Sequence, residues 1–417
     1  MTHPTFLTRV FVSLALLSAT CGMHAQTKKG LTETDPAFYK TDEARIIGDQ
    51  VLAYQRCTGG WPKNIDMSRR LTDKELAQVM KDKSKTDDST TDNDATTTQM
   101  TYLARLWNAT RDARYREGFN KGVEYLLSGQ YDNGGWPQFW PGMRGYQVNI
   151  TYNDDAMTST LNLFNDIIHD TAPYTAGLVD DSMKSRLQTS FDKGIECILA
   201  TQIKVGGKPT VWCQQNDPET LEPAGARAFE LPSFCSAESV PIVRLLMELP
   251  NPDKRVKEAV HGAMKWFDKY KLTGFRVERT TDKYGARDTR LVEDPSAPAI
   301  WARFYDLERC EPFVCDRDGI MRRRLEQIGR ERRSGYSWYS RRPADLYPLY
   351  EEWAEKHDPR HKAKISLKTK GANENGTINM FREPVLNPKD YDVVVKPGES
   401  IQAAIDKAPA NGQFKIQ

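Results

Sequence analysis

Two short runs place carboxylates in pairs. TTDNDATTTQ carries Asp92 and Asp94, and NITYNDDAMTS carries Asp154 and Asp155; each run stands just ahead of an apolar segment with helical period. Asp and Asn at such positions cap a helix by accepting from its first free amides, which stabilises it by ~1 kcal/mol. One acid per helix satisfies the cap. Neighbouring residues on a helix diverge by about 100 degrees, so the second acid of each pair projects elsewhere. Spare carboxylates from two runs, with no histidine or cysteine beside them, form a hard oxygen donor set that suits Ca2+ better than zinc.

A third run, VWCQQNDPETLEPAGARAFE, carries Arg227 between two small residues and Glu230 three positions on. The structural reading pairs the two with each other. The chemical reading aims a cation and a base-like group at one point, which suits proton abstraction beside a carboxylate, as in β-elimination from a uronic-acid polymer. There a metal and cationic side chains on the sugar carboxylate stabilise the charge that develops. Lys63 in GGWPKN and Arg303 in AIWARFYD are further cations that could face an acidic polymer. Trp61, Trp136, Trp140 and Trp212 lie in the same loop regions, where indoles either stack on sugars or pack over helix ends. The arginine run 321–343 reads as a solvated helix surface and loop more than as a polyanion site.

The elements that must carry these residues are helical. MTSTLNLFNDII puts Met157, Leu161, Phe164 and Ile168 on one face, and RLQTSFDKGIECIL does the same with Leu187, Phe191, Ile195 and Ile198. The periodicity predicts helices near 36–56, 95–109, 112–128, 156–169, 181–201, 237–249, 253–270 and 299–309, with few strand signals before residue 390. A weak repeat runs through them: QRCTGGWPKN returns as QYDNGGWPQFWP and, more faintly, as QIKVGGKPTVW. Its second glycines, Gly60, Gly135 and Gly207, recur about every 70 to 75 residues, the length of a helical hairpin plus a loop. Each Gly-Gly reads as a helix stop. Long excursions follow the glycines while the other joints are tight, so in an antiparallel array the excursions fall on one rim.

The totals bound the rest. With 59 basic and 57 acidic residues in 417, a formal charge of +2 and a mean hydropathy of −0.66, nothing signals nucleic acid, and any anion preference must be local. Residues 1–25 read as a signal peptide: Arg9, the run VFVSLALLSA, then small residues before Gln26. The run is too short for a stable membrane span, so the mature chain is expected to be secreted or periplasmic. Six cysteines then remain, Cys57, Cys197, Cys213, Cys235, Cys310 and Cys315, without a CxxC pair, and read as small buried residues. None of the six histidines lies in the excursions, which weighs against Ser-His-Asp hydrolysis and His-ligated zinc. His357 and His361, in KHDPRHK, read as a solvated helix end.

The set TGGWPKNID, TDNDATTTQ, NGGWPQFWP, ITYNDDAMTS, TVWCQQNDP, GARAFELPS and ESVPIVRLLM closely resembles the pectate lyases of polysaccharide lyase family 10, over roughly residues 33–357. The resemblance implies an all-α fold, an α/α-toroid of helical hairpins over residues 33–360, that cleaves polygalacturonate with the help of Ca2+ and leaves 4,5-unsaturated products. Its implied site has Arg227 in the position of the family's Brønsted base and the acids of the two excursions, Asp94 and Asp155 foremost, at the calcium and substrate; the residues expected along the sugar are Lys63, Asp94, Asp154, Glu230, Arg303, Trp136 and Trp212. A guanidinium has a solution pKa above about 12, so a base role needs neighbouring cations and suits alkaline conditions; otherwise Arg227 is an electrostatic clamp. Asn216 stands where many relatives have histidine. After a linker at 361–390, residues 391–417 resemble the start of a right-handed β-helix of the pectin methylesterase type, cut short and without that enzyme's acids. The expected partner is pectin and the expected state a monomer. An α/α-toroid hydrolase using Asp94 and Asp155 as acid and base, and a non-catalytic uronan-binding protein, are the competing readings.

Overall fold

The computed structural model describes residues 30–381, residue 400 and the strand residues 393–395 and 414–416. The expected signal peptide, residues 1–25, lies outside the described residues. Two C-terminal strands, Val393–Val395 and Phe414–Ile416, pair in parallel. The chain divides into two compact units: residues 1–202, 214–224 and 241–256 form the first, and residues 203–213, 225–240 and 257–417 the second.

In chain order the helices are α1 (Asp42–Tyr54), α2 (Asp73–Asp82), α3 (Thr97–Thr110), α4 (Ala113–Ser128), α5 (Ala156–Ile168), α6 (Asp181–Thr201), α7 (Ser236–Glu248), α8 (Lys254–Tyr270), α9 (Arg330–Ser334) and α10 (Leu346–His357). In the first unit α3 pairs with α4 and α5 with α6. Between α3 and α4 the chain turns at Arg111, in the left-handed region at φ 57°, and Asp112 caps α4 by accepting from the Arg114 amide. Leu103, Leu106, Phe119, Val123, Leu161, Phe164, Leu187 and Ile198 are buried, which is what the helical periodicity requires of the inward stripe. These helical hairpins place the chain in the α/α-toroid class.

The repeat has a backbone cause. Gly59 and Gly134 have φ of 94° and 89°, and a side chain at either would meet the carbonyl oxygen of Lys121 or Lys193 at 2.2 or 2.0 Å. Only glycine serves there. Neither is a helix stop, since α1 ends at Tyr54 and α4 at Ser128, and the glycines close tight turns beyond their helices. The tryptophan that follows locks each copy: Trp61 Nε1 donates to the Val51 carbonyl and Trp136 Nε1 to the Leu126 carbonyl, both at 2.7 Å. The third glycine pair departs from this pattern. Gly206 and Gly207 form the exposed turn of a hairpin, Lys204–Val205 with Lys208–Pro209.

The second unit carries more strand than the sequence suggests. Phe275–Thr281 and Arg287–Glu293 form a seven-rung antiparallel hairpin. Both faces are largely solvated, with only Val277, Leu291 and Val292 as half-buried apolar residues beyond Phe275, so no hydrophobic alternation announces it. Residues 299–309 are not a helix. Trp301–Ala302 and Phe304–Tyr305 are short strands, and Phe304–Tyr305 joins the sheet of Phe234–Cys235, Pro312–Cys315 and Met321–Arg322. Helices α2 and α10 are additions; α2 buries only Val79, and its sequence signal is the capping box of Thr72 and Glu75. His357 ends α10, as its sequence predicts. The six cysteines are free, and all but Cys57 are buried.

Candidate active site

In the first unit each excursion returns to the tryptophan that opened it. Thr90 donates its amide to the Trp61 carbonyl at 3.2 Å, and Thr151 to the Trp136 carbonyl at 3.0 Å. One short 3-10 turn follows each threonine, Asp92–Asp94 and Asn153–Asp155, and then α3 or α5 begins. In the second unit Cys235 donates to the Trp212 carbonyl at 2.8 Å just ahead of α7, so the device occurs three times. Trp136 and Trp212 are 1% and 0% exposed. They are framework, and the expectation that their indoles stack on sugar is corrected: no ring face reaches solvent.

The acids do not cap. Asn93, Asp94 and Thr96 have φ of 55°, 56° and 66°, and Asp154 and Asp155 have 50° and 61°. This left-handed backbone turns the carboxylates off the helix axis, and neither α3 nor α5 receives a side-chain cap from its leading residue. Non-glycine residues held so cluster at functional sites, and Asn and Asp bear the strain best.

Asp92 is the acid of the first pair that sequence reasoning named but did not favour. Its carboxylate is 3% exposed; Oδ2 accepts from Lys63 Nζ, while Oδ1 is buried without a hydrogen-bond partner. Burial pushes its carboxyl above the usual range, Lys63 opposes that, and the like charge of nearby Asp154 adds to it. Two carboxyl groups thus face each other, and they are Asp92 and Asp154. Asp94 instead accepts from Ser159 Oγ at 3.4 Å. Asp154 is exposed, with Oδ2 accepting from Asn153 Nδ2 at 2.9 Å, and Asn153 Oδ1 accepts from Gln214 Nε2 at 2.6 Å. Asn216 is buried, its Nδ2 donating to the Leu221 carbonyl at 2.9 Å. Among the described residues no group of three or more His, Cys, Asp or Glu side chains is placed to hold a metal ion. Two protein carboxylates with one orphaned oxygen fit a cation whose remaining ligands come from elsewhere, and their hard oxygens fit calcium.

In the second unit Arg227 is oriented from behind. Glu230 Oε2 accepts from Arg227 Nε at 2.6 Å and from its amide at 3.2 Å, and Oε1 accepts from Nη2. Tyr336 Oη donates to the same Oε1 at 2.7 Å. The Glu230 side chain is 3% exposed against 43% for Arg227, so Glu230 is a positioning group and its expected place along the sugar is corrected. The guanidinium of Arg227 lies 4.9 Å from the Phe229 ring and 5.7 Å from that of Tyr336. Arg332, at 4.2 Å and 5.5 Å, shares both rings, and Arg303 is 4.4 Å from Tyr336 while paired with the buried Glu238. Burial and the charges of Arg317 and Arg227 lower the Arg332 pKa, with Glu331 opposing. The arginine run is solvated only in part, with Arg324, Arg330, Arg341 and Arg342 exposed. Arg332 and Arg323 are buried, Arg323 between Asp306 and Glu311.

The sequence model of pectic acid lyases matches residues 55–347. The chain belongs to the pectic acid lyase family. Among solved structures, an aspartate-to-alanine mutant of the family 10 polysaccharide lyase from Cellvibrio cellulosa, in complex with trigalacturonic acid, is 30% identical to this pectic acid lyase. The match covers 80% of this chain and 96% of that one, at a TM-score of 0.67. The family 10 polysaccharide lyase from the same organism is 29% identical, covering 81% and 98%, at 0.66. No curated protein matches significantly. As a pectic acid lyase the chain is an enzyme that cleaves pectate, and both excursion acids and Arg227 lie within the matched residues.

Proposed function

We propose that this lyase cleaves polygalacturonate by calcium-assisted β-elimination, leaving 4,5-unsaturated oligogalacturonides. The observation that carries the reading is the Asp92–Asp154 pair, two facing carboxyls with an orphaned buried oxygen, which a divalent cation would satisfy. Calcium, when bound, would neutralise the uronate carboxylate and so make its C5 proton easier to remove. Asp92 and Asp154 are its proposed protein ligands, in place of Asp94 and Asp155. Lys63 holds Asp92 and offsets part of the negative charge there.

Arg227 is the proposed proton acceptor. It is held by Glu230, and the cations Arg332 and Arg317 stand close enough to feel its charge. The C5 proton passes to Arg227, the double bond forms between C4 and C5 as the C4–O bond breaks, the departing chain keeps the bridging oxygen and takes a proton from water to become a new reducing end, and Arg227 gives up the C5 proton to solvent. Arg303, fixed by Glu238, is proposed to face a sugar carboxylate.

The trigalacturonic acid in the Cellvibrio complex supports polygalacturonate as substrate. The targeting pattern of residues 1–25 supports export, and among the described residues no helix is long and apolar enough to cross a membrane. The deciding assay follows ultraviolet absorbance of the unsaturated uronate during incubation with polygalacturonate, with and without chelator. Absorbance that the chelator abolishes supports the proposal; new reducing ends without absorbance mean hydrolysis, and neither signal means binding alone.

A further inference from the structure

The hairpin of Phe275–Thr281 and Arg287–Glu293 ends in a turn that is rigid yet presents an aromatic ring to water. Tyr284 is 82% exposed, while the next most exposed large apolar side chain among the described residues, Val205, reaches 55%. Burying such a ring stabilises a fold, so one displayed at a turn contributes nothing to the core. The turn itself is tightly bonded. Asp282 Oδ1 accepts from the Tyr284 and Ala286 amides, both at 2.9 Å, and Gly285 supplies the positive φ of 81°. From α9, Arg330 Nη2 donates to Asp282 Oδ2 at 2.9 Å and to the Ala286 carbonyl at 2.6 Å, and its Nε to the Arg287 carbonyl at 2.9 Å. Arg333 grips Asp288 through two bonds.

Charge accompanies the ring. Lys283 Nζ lies 4.9 Å from the centre of the Tyr284 ring. The register pairs Thr281 with Arg287 and Arg279 with Thr289, so Arg279 and Arg287 share one face of the ribbon, while Asp288 and its Arg333 partner belong to the other. Arg279, Lys283 and Arg287 are exposed, and among the described residues none of them is in an ion pair. An aromatic face for the C–H side of a sugar ring, flanked by cations for its carboxylate, is the chemistry that recognises an acidic polysaccharide.

We infer that the tip of this hairpin, Tyr284 with Lys283, Arg279 and Arg287, is a second binding site for polygalacturonate, sharing no residue with the candidate active site. It tethers the polymer and adds to the effective concentration of cleavable chain. The inference rests on pectate as substrate, and short oligomers that cannot occupy both sites should not feel it.

The test compares the full chain with Tyr284→Ala, Lys283→Ala and Tyr284→Phe. Retardation in gels cast with polygalacturonate reports binding, and trigalacturonate turnover reports the catalytic site. The alanine variants should bind the polymer about five- to tenfold more weakly with unchanged melting temperature and unchanged turnover of the trimer, and Tyr284→Phe should retain most of the binding. Equal retardation of all four proteins would overturn the site, as would an equal loss on fully methyl-esterified polymer, which lacks the charge. Failure of the wild type to cleave the trimer would count against the catalytic reading, while the gel would still decide for or against the tether.

Discussion

Glu230 holds Arg227 by a two-pronged ion pair, with Nε at 2.6 Å from one carboxylate oxygen and Nη2 on the other, and the carboxylate is buried while the guanidinium is not. A buried acid behind an exposed base fixes direction more than it adds stability. Arg227→Ala should therefore lower kcat by about a thousandfold or more while oligogalacturonate affinity changes little, because the lost contact belongs to the transition state. Retention of most activity would remove Arg227 from the chemistry.

The Tyr336 hydroxyl reaches Arg227 through Glu230, while its ring lies 5.7 Å from the guanidinium. Tyr336→Phe keeps the ring and deletes the hydroxyl, so kcat should drop by about ten- to a hundredfold, the worth of one hydrogen bond to a charged group, with KM nearly unchanged. A change confined to KM would place Tyr336 on the substrate instead.

The pairing of Asp92 with Asp154 separates them from their neighbours. Asp92→Asn and Asp154→Asn should each reduce kcat/KM by about a hundredfold or more, near 3 kcal/mol, and weaken calcium binding measured calorimetrically with trigalacturonate present. Asp94→Asn and Asp155→Asn should cost less than about fivefold. The reverse ranking would restore the assignment read from sequence.

Trp136 supplies a stability test. Its ring is buried and its Nε1 bonds the Leu126 carbonyl, so Trp136→Ala should destabilise by about 3–5 kcal/mol while the folded fraction keeps its KM. A raised KM at unchanged melting temperature would return the indole to the substrate.

His261 gives the pH test. It sits between Tyr350 Oη at 2.7 Å and Asp358 at 3.3 Å, and burial pulls its pKa below the ordinary value although Asp358 opposes. The unfolded histidine then takes up a proton first, so stability is full above about pH 6.5 and is lost as pH falls from there towards the folded value. In denaturant titrations between pH 8 and pH 5 the wild type should lose stability relative to His261→Phe. A constant difference would refute it.

Much was legible in the chain itself. Helical period identified α3 to α8, because a stripe that must face a core repeats every three to four residues whatever it packs against. GGWP announced the repeat, since two backbone approaches tolerate glycine alone. The seven-rung hairpin escaped because strands solvated on both faces carry no alternation, and the 299–309 segment misled because buried apolar runs look alike in short helices and strands.

Residue types and motifs sufficed for the family and for a list of candidate acids and cations. Which of them meet was decided by folding. Positive-φ turns set Asp92 against Asp154 where helix geometry alone would have made caps of them, and burial turned the tryptophans and Glu230 inward. Periodicity is a local property, whereas the partner of a carboxylate depends on which distant backbone stands beside it, and that is fixed only when the segments pack.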